Sequence, residues 1–158
     1  MVGLGSLYLT ATWARTLWPG REYIAAAGPT ILLGCIFWTL FTTLTMFDMM
    51  LALFTLMGLV GILLAWQGQR WSGFGLLAVA IALGVLAKGP AILLHVLPVA
   101  LLAPVWGASK PQSLRPLGLR SWYLGILAAT LAGAALALTW AIPAAIAGGD
   151  AYAEAIFW

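Results

Sequence analysis

The chain has 158 residues, of which 64% are hydrophobic and 7% are charged. A soluble domain carries about 25% charged residues to keep its surface solvated, so this composition excludes a soluble globular fold. The formal charge of +3 comes from basic residues scattered among short loops, whereas a nucleic-acid-binding surface needs a continuous basic face. We therefore predict an all-α, polytopic transmembrane protein whose partners are membrane lipids and not nucleic acids.

Six apolar segments predict the membrane helices. The first is shorter than the ~20 residues that cross a ~30 Å hydrocarbon core, so we expect it to be the remainder of a longer span. Two later stretches are each long enough for two helices. They divide at Thr45, which forms a capping box with Asp48, and at Gly89-Pro90, which ends one helix and starts the next. In chain order the predicted segments are 1–14, 23–44, 49–66, 72–87, 90–106 and 122–143.

The basic residues fall mainly on one side of this arrangement. When the loops are assigned alternately to two sides, one side receives six of the seven Lys and Arg residues: Arg15, Arg21, Arg70, Lys110, Arg115 and Arg120. Lys and Arg concentrate in cytoplasmic loops, so we predict that this side is cytoplasmic. Lys88, Asp48, Asp150 and Glu154 then fall on the opposite side.

Asp48 and Lys88 are the main candidates for a functional site. An ionisable residue at the edge of a membrane span costs free energy and often has a function. Both residues lie at outer turns between paired helices, so an acid and a base could face each other across a shallow pocket. In the functional interpretation, Lys88 binds an anionic phosphate and Asp48 orients or deprotonates a hydroxyl. In the structural interpretation, Asp48 caps a helix and Lys88 extends from a helix C-terminus to the interface.

Three further residues are weaker candidates for binding substrate. His95 lies seven residues after Lys88, two turns along the same helix face, and either enters the same cavity or packs as an interhelical hydrogen bonder. Asp150 and Glu154 are four residues apart, so they share a face of any helix there. They form either part of an acceptor site or a turn that faces lipid headgroups. We predict no metal cluster and no defined cofactor, and leave a divalent cation open.

Four blocks of the sequence, taken together, resemble those of a known family. They are Arg15–Pro19, Thr45–Phe54, Leu83–Pro90, and Trp140–Pro143 with Gly148–Tyr152. In order and spacing they resemble the bacterial aminoarabinose transferase and protein O-mannosyltransferase superfamily, along essentially the whole chain. Within this resemblance, Asp48 matches the acidic residue before a span, and Lys88 matches the lysine of a Lys-Gly turn near the donor phosphate.

The resemblance implies a membrane glycosyltransferase with a GT-C fold. Such an enzyme lies in the bacterial inner membrane and its active site opens on the periplasmic side. It moves a sugar from a polyprenyl-phosphate donor to an acceptor hydroxyl, as on lipid A, another cell-envelope glycan or a protein. The family's first periplasmic loop, with its acidic pair, would precede this chain, and further spans and a soluble domain would follow it. We therefore expect a middle fragment that transfers no sugar alone.

Two other functions are compatible with a polytopic chain of this composition. A transporter or flippase segment would also carry a few intramembrane charges, but transporters bind substrate near the bilayer midplane, whereas the charges here sit at one edge. A non-catalytic membrane assembly subunit would use Asp48 and Lys88 only as helix-end residues. A catalytic or phosphate-binding role of these two residues would therefore distinguish the enzyme from the alternatives.

Overall fold

The computed structural model describes residues 2–36, 47–107 and 118–149. Every regular element within these ranges is a helix, which confirms the predicted all-α class for the described part of the chain. In chain order the helices are α1 (Val2–Leu17), α2 (Glu22–Gly34), α3 (Phe47–Trp66), α4 (Arg70–Lys88), α5 (Ala91–Leu101), α6 (Ala103–Trp106) and α7 (Leu119–Gly148).

Three of the described helices are long and apolar enough to cross a membrane, namely Asp48–Trp66, Arg70–Lys88 and Leu119–Gly148. The first two have 19 residues each, which at about 1.5 Å per residue gives about 29 Å, close to the thickness of a hydrocarbon core. These lengths and compositions suggest a membrane protein. Helices α1, α2 and α5 are shorter, with 16, 13 and 11 residues.

Helix α7 is longer than the segment predicted at 122–143. It begins at Leu119, continues through Pro143 and ends at Gly148. Proline within a helix removes one backbone hydrogen bond, which is why the sequence predicted an end there, but membrane helices tolerate proline in their interior. The helix instead ends where Gly149 adopts a positive φ of 75°, a conformation that glycine adopts without steric cost.

The segment predicted as one helix at 90–106 is divided into α5 and α6. Pro104 has no backbone N–H, so it cannot donate to the carbonyl of Ala100 as a continuing helix would require. The indole N–H of Trp122 donates to that carbonyl instead (3.0 Å). The indole N–H of Trp106 donates to the carbonyl one residue earlier (2.9 Å). Two tryptophans thus satisfy carbonyls at the break, and Trp122 also fastens α7 to α5.

The core lies between α3, α4, α5 and α7. Close packing of α3 against α4 depends on glycine, because a Cβ atom at Gly73 would lie 2.3 Å from the backbone nitrogen of Ala65. Small residues at such contacts allow membrane helices to approach closely. Trp66 packs near Trp106 and Trp122, with ring centroids 5.9 and 5.0 Å away. Trp66 therefore packs against both other tryptophans inside the bundle, although abundant tryptophan in a membrane protein suggests side chains at the headgroup level.

The turns of the bundle fall at two ends. The side-chain amide of Gln67, after α3, donates to the carbonyl of Thr16, in the last turn of α1 (3.1 Å). This contact brings the α1–α2 turn and the α3–α4 turn together at one end, where the described arginines also lie: Arg15, Arg21, Arg70 and Arg120. We call it the arginine end. The opposite end contains Asp48 and Lys88.

Candidate functional site

Asp48 and Lys88 are positioned by the two helices of the α3–α4 hairpin. Asp48 lies in the first turn of α3 and Lys88 in the last turn of α4. Gly89 ends α4 with a φ of 64°, and its N–H donates to the carbonyl of Val85 (2.8 Å). The antiparallel hairpin therefore brings residues that are 40 positions apart to the same end. Each charge also suits its helix terminus, since the dipole favours an acid at the start and a base at the end.

The ammonium group of Lys88 donates to Oδ1 of Asp48, so the two charges form a direct ion pair. The side chains remain 48% and 57% exposed, respectively. An exposed pair of this kind contributes only about 0–1 kcal/mol to stability. A lysine ammonium has three donors, so Lys88 can bind Asp48 and still donate to another anion. The pair is accessible and can accept a third charged group.

A groove of about 520 Å³ begins beside this pair. It lies among α1, α2, α3 and α5, and its polar lining includes Asp48 and His95. The rest of the lining is mainly apolar, with Trp13 from α1, Leu32 from α2 and Leu51 from α3. The groove therefore combines a charged mouth with an apolar wall.

His95 lies on α5 and faces this groove together with Asp48. Its Nδ1 is 2.8 Å from the carbonyl oxygen of Ala91, one turn earlier. A carbonyl only accepts hydrogen bonds, so Nδ1 carries the proton in this contact and Nε2 of the neutral ring remains an acceptor. The structure thus places His95 and Asp48 in one groove. Lys88 reaches that groove through its contact with Asp48.

Thr55 is a groove residue that the sequence analysis missed. It lies seven positions after Asp48 on α3, two turns along the same face, and that spacing was the available signal. Its hydroxyl oxygen is buried and has no hydrogen-bond partner within the described part of the chain. An unmade hydrogen bond of a buried polar group costs about 1–3 kcal/mol. Thr55 is therefore a polar group in the groove wall that a ligand could satisfy.

The remaining predicted site residues are not among those that the structure describes. Asp150 and Glu154 lie outside the described residues, as do Lys110 and Arg115 of the predicted cytoplasmic loops. Within residues 2–36, 47–107 and 118–149, no group of three or more His, Cys, Asp or Glu side chains could hold a metal ion.

Comparison of the chain with protein-family models, with curated proteins and with solved structures finds no match. The sequence resemblance to the aminoarabinose transferase and O-mannosyltransferase superfamily therefore rests on the four blocks themselves. The structural features that bear on function are the Asp48–Lys88 pair and the groove beside it.

Proposed function

We propose that this chain forms the donor-binding part of a GT-C-type membrane glycosyltransferase that takes its sugar from a polyprenyl phosphate. The observation that carries the proposal is the accessible Asp48–Lys88 pair at the mouth of a largely apolar groove that also contains His95. A polyprenyl-phosphate sugar has the matching chemistry, with a charged phosphate, a polyhydroxyl sugar and an apolar chain.

The charge at this end supports binding of the phosphate. Lys88 supplies a cation, and α3 and α5 both begin at this end, near Asp48 and Ala91. The positive ends of two helix dipoles therefore point toward the position that we assign to the phosphate, as at other anion sites of proteins. Asp48 opposes an anion, so the phosphate must approach from the side of Lys88 that faces away from the carboxylate.

The groove supports binding of the remaining parts of the donor. Its apolar wall, with Trp13, Leu32 and Leu51, offers a surface for a prenyl chain or a sugar face. Thr55 and His95 offer a hydroxyl and an imidazole nitrogen to sugar hydroxyls. A ligand that seats against Thr55 would recover the hydrogen bond that this residue lacks in the described structure.

The reaction that we propose is a displacement at the sugar. The acceptor hydroxyl oxygen forms a bond to the anomeric carbon while the bond between that carbon and the phosphate oxygen breaks. The lipid phosphate leaves with the bonding electron pair, and Lys88 stabilises the charge that develops on it. Asp48 orients the acceptor hydroxyl or accepts its proton. The acceptor belongs to lipid A, another cell-envelope glycan or a protein.

Donor binding tests this proposal directly. The purified chain in detergent is titrated with a polyprenyl-phosphate sugar. Two competitors are then added in separate experiments: polyprenyl phosphate and the uncharged polyprenol. We expect polyprenyl phosphate to compete and polyprenol to compete far more weakly, because Lys88 binds the phosphate. Equal competition by the two lipids would remove the role of Lys88 and favour a structural ion pair, as expected for a membrane assembly subunit.

We further propose that the Asp48–Lys88 end faces the periplasm of a bacterial inner membrane, because the arginine end carries most of the basic residues and such residues favour the cytoplasm. Alkaline phosphatase, which is active only outside the cytoplasm, should therefore be active when fused after Gly149 and inactive when fused after Arg115. The measurement is enzyme activity at equal fusion abundance. The reverse pattern would contradict the proposed orientation.

Asp48→Asn separates the catalytic interpretation from the capping interpretation. Asparagine is as good a helix cap as aspartate and can still accept a hydrogen bond from Lys88, but it carries no charge and is a far weaker base. In an enzyme that contains this chain, we expect membrane abundance to stay at the wild-type level while sugar transfer falls by about a hundredfold or more, within the usual range for loss of a general base. Transfer at the wild-type rate would reduce Asp48 to a cap.

A further inference from the structure

A second groove, of about 440 Å³, runs between α4 and α7 and begins at the arginine end. Its walls are built from small residues on both helices, namely Gly75, Ala78, Gly125, Ala128 and Ala132. A Cβ atom added at Gly75 would meet nothing within 4 Å. The space is therefore open toward the surroundings of the bundle, which for membrane-spanning helices are lipid chains.

The mouth of this groove is positively charged. Arg70 lines it and is the first residue of α4, while Arg120 immediately precedes Ser121, which also lines it. Helices α4 and α7 both begin at this end, so they run parallel, and neither has a side-chain hydrogen bond at its N-cap. Two positive dipole ends and the guanidinium group of Arg70 therefore lie at the mouth, which favours an anion.

The length of the groove corresponds to one leaflet of a bilayer. On α4 the lining runs from Arg70 to Ala78, and on α7 from Ser121 to Ala132. At about 1.5 Å per residue these distances are about 12 and 16 Å, against about 15 Å for half of a ~30 Å hydrocarbon core. Trp71 is 95% exposed beside the mouth, at the depth where tryptophan contacts lipid headgroups.

We propose that this groove binds one anionic phospholipid, with an acyl chain along the small residues of α4 and α7 and the phosphate at Arg70. The site is separate from the donor groove, because it lies at the opposite end of α4 from Lys88. The charge at the mouth selects an anionic headgroup over a zwitterionic one, because the ammonium group of a zwitterionic lipid is repelled by Arg70.

Photo-crosslinking on the purified chain tests this site. The probes are phosphatidylglycerol and phosphatidylcholine that carry the same photoreactive acyl chain, and crosslinked residues are mapped by mass spectrometry. We expect phosphatidylglycerol to label residues between 70 and 78 and between 121 and 132, about tenfold more than phosphatidylcholine does. A tenfold difference corresponds to about 1.4 kcal/mol. Equal labelling by both lipids, or labelling spread evenly over the exposed face of α7, would overturn the proposal.

Two variants with matched controls locate the acyl chain and the phosphate. Gly75→Leu places a side chain in the groove at a position where an added Cβ atom meets nothing within 4 Å, and we expect about tenfold less labelling by phosphatidylglycerol. Ala134→Leu, at an exposed position of α7 outside the groove lining, should leave labelling unchanged. Arg70→Gln should remove the preference for phosphatidylglycerol, and Arg21→Gln, also at the arginine end, should retain it.

The unfolding midpoint of each variant in detergent is measured in parallel, so that loss of the fold is distinguished from loss of the site. Normal labelling in folded Gly75→Leu protein would overturn the proposal. Crosslinks from the groove to another protein chain in place of lipid would overturn it as well. Because donor binding is measured at the opposite end, failure of this proposal leaves the proposed function untouched.

Discussion

In an enzyme that contains this chain, replacement of Lys88 by alanine is expected to lower the rate of sugar transfer by about a hundred- to a thousandfold, the usual effect of losing one preorganised group that stabilises developing charge. The same substitution should weaken binding of the polyprenyl-phosphate donor by about ten- to a hundredfold, since a hydrogen bond to a charged group contributes about 1.5–3 kcal/mol. Transfer is measured with a labelled donor in membranes that contain this enzyme, and binding is measured on the purified chain in detergent.

The control for this experiment is Arg21→Ala. Arg21 is an exposed basic residue at the arginine end, so its removal changes the net charge by the same amount without changing the proposed site. Donor binding and transfer should both remain at the wild-type level. If Lys88→Ala and Arg21→Ala proteins bind the donor equally well, Lys88 is a helix-end residue and the proposed donor site is wrong.

The sequence predicted much of the fold because two of its signals are strong in membranes. Long apolar stretches require helices, since a backbone in lipid must satisfy its own hydrogen bonds. The alternation of loops predicted that the arginines would share one end, and Arg15, Arg21, Arg70 and Arg120 do so among the described residues.

The break between α5 and α6 was not predictable from local signals, although Pro104 was visible. A proline leaves the carbonyl four residues earlier without its helical hydrogen bond. Whether the helix continues or breaks there depends on which group donates to that carbonyl. At Ala100 the donor is Trp122, 22 positions away. Pro143, by contrast, lies within the continuous helix α7. The spacing of residues in the sequence does not reveal such long-range contacts. The sequence therefore could not show that the helix breaks at Pro104 and continues through Pro143.

The candidate site was predictable to the extent that it follows from helix ends and helix periodicity. The positions of Asp48 and Lys88 at outer turns allowed the two residues to face each other, and in the structure they form an ion pair. His95 was a weaker prediction, yet it lines the groove with Asp48. The groove itself is formed by four helices, and its volume depends on their packing. That packing is also why Thr55, which looks like an ordinary helix residue in the sequence, was missed.

Gly73→Ala should destabilise the protein by about 1–3 kcal/mol or more, the usual cost of adding a carbon atom to a well-packed contact. The new Cβ would lie 2.3 Å from the nitrogen and 2.7 Å from the Cα atom of Ala65. Both are backbone atoms of α3, so no side-chain rotation can relieve the conflict and the two helices must separate. Since the hairpin of α3 and α4 also positions Asp48 and Lys88, donor binding should weaken in parallel.

Gly75→Ala provides the matched control because it makes the same chemical change two residues along the same helix, where a Cβ atom meets nothing within 4 Å. There the substitution should leave stability unchanged or raise it by up to about 1 kcal/mol, since alanine favours a helix over glycine by that amount. The free energy of unfolding is measured in mixed micelles for both variants. Equal stability of the Gly73→Ala and Gly75→Ala proteins would contradict the close backbone contact between α3 and α4, and with it the mechanism by which the hairpin positions the site.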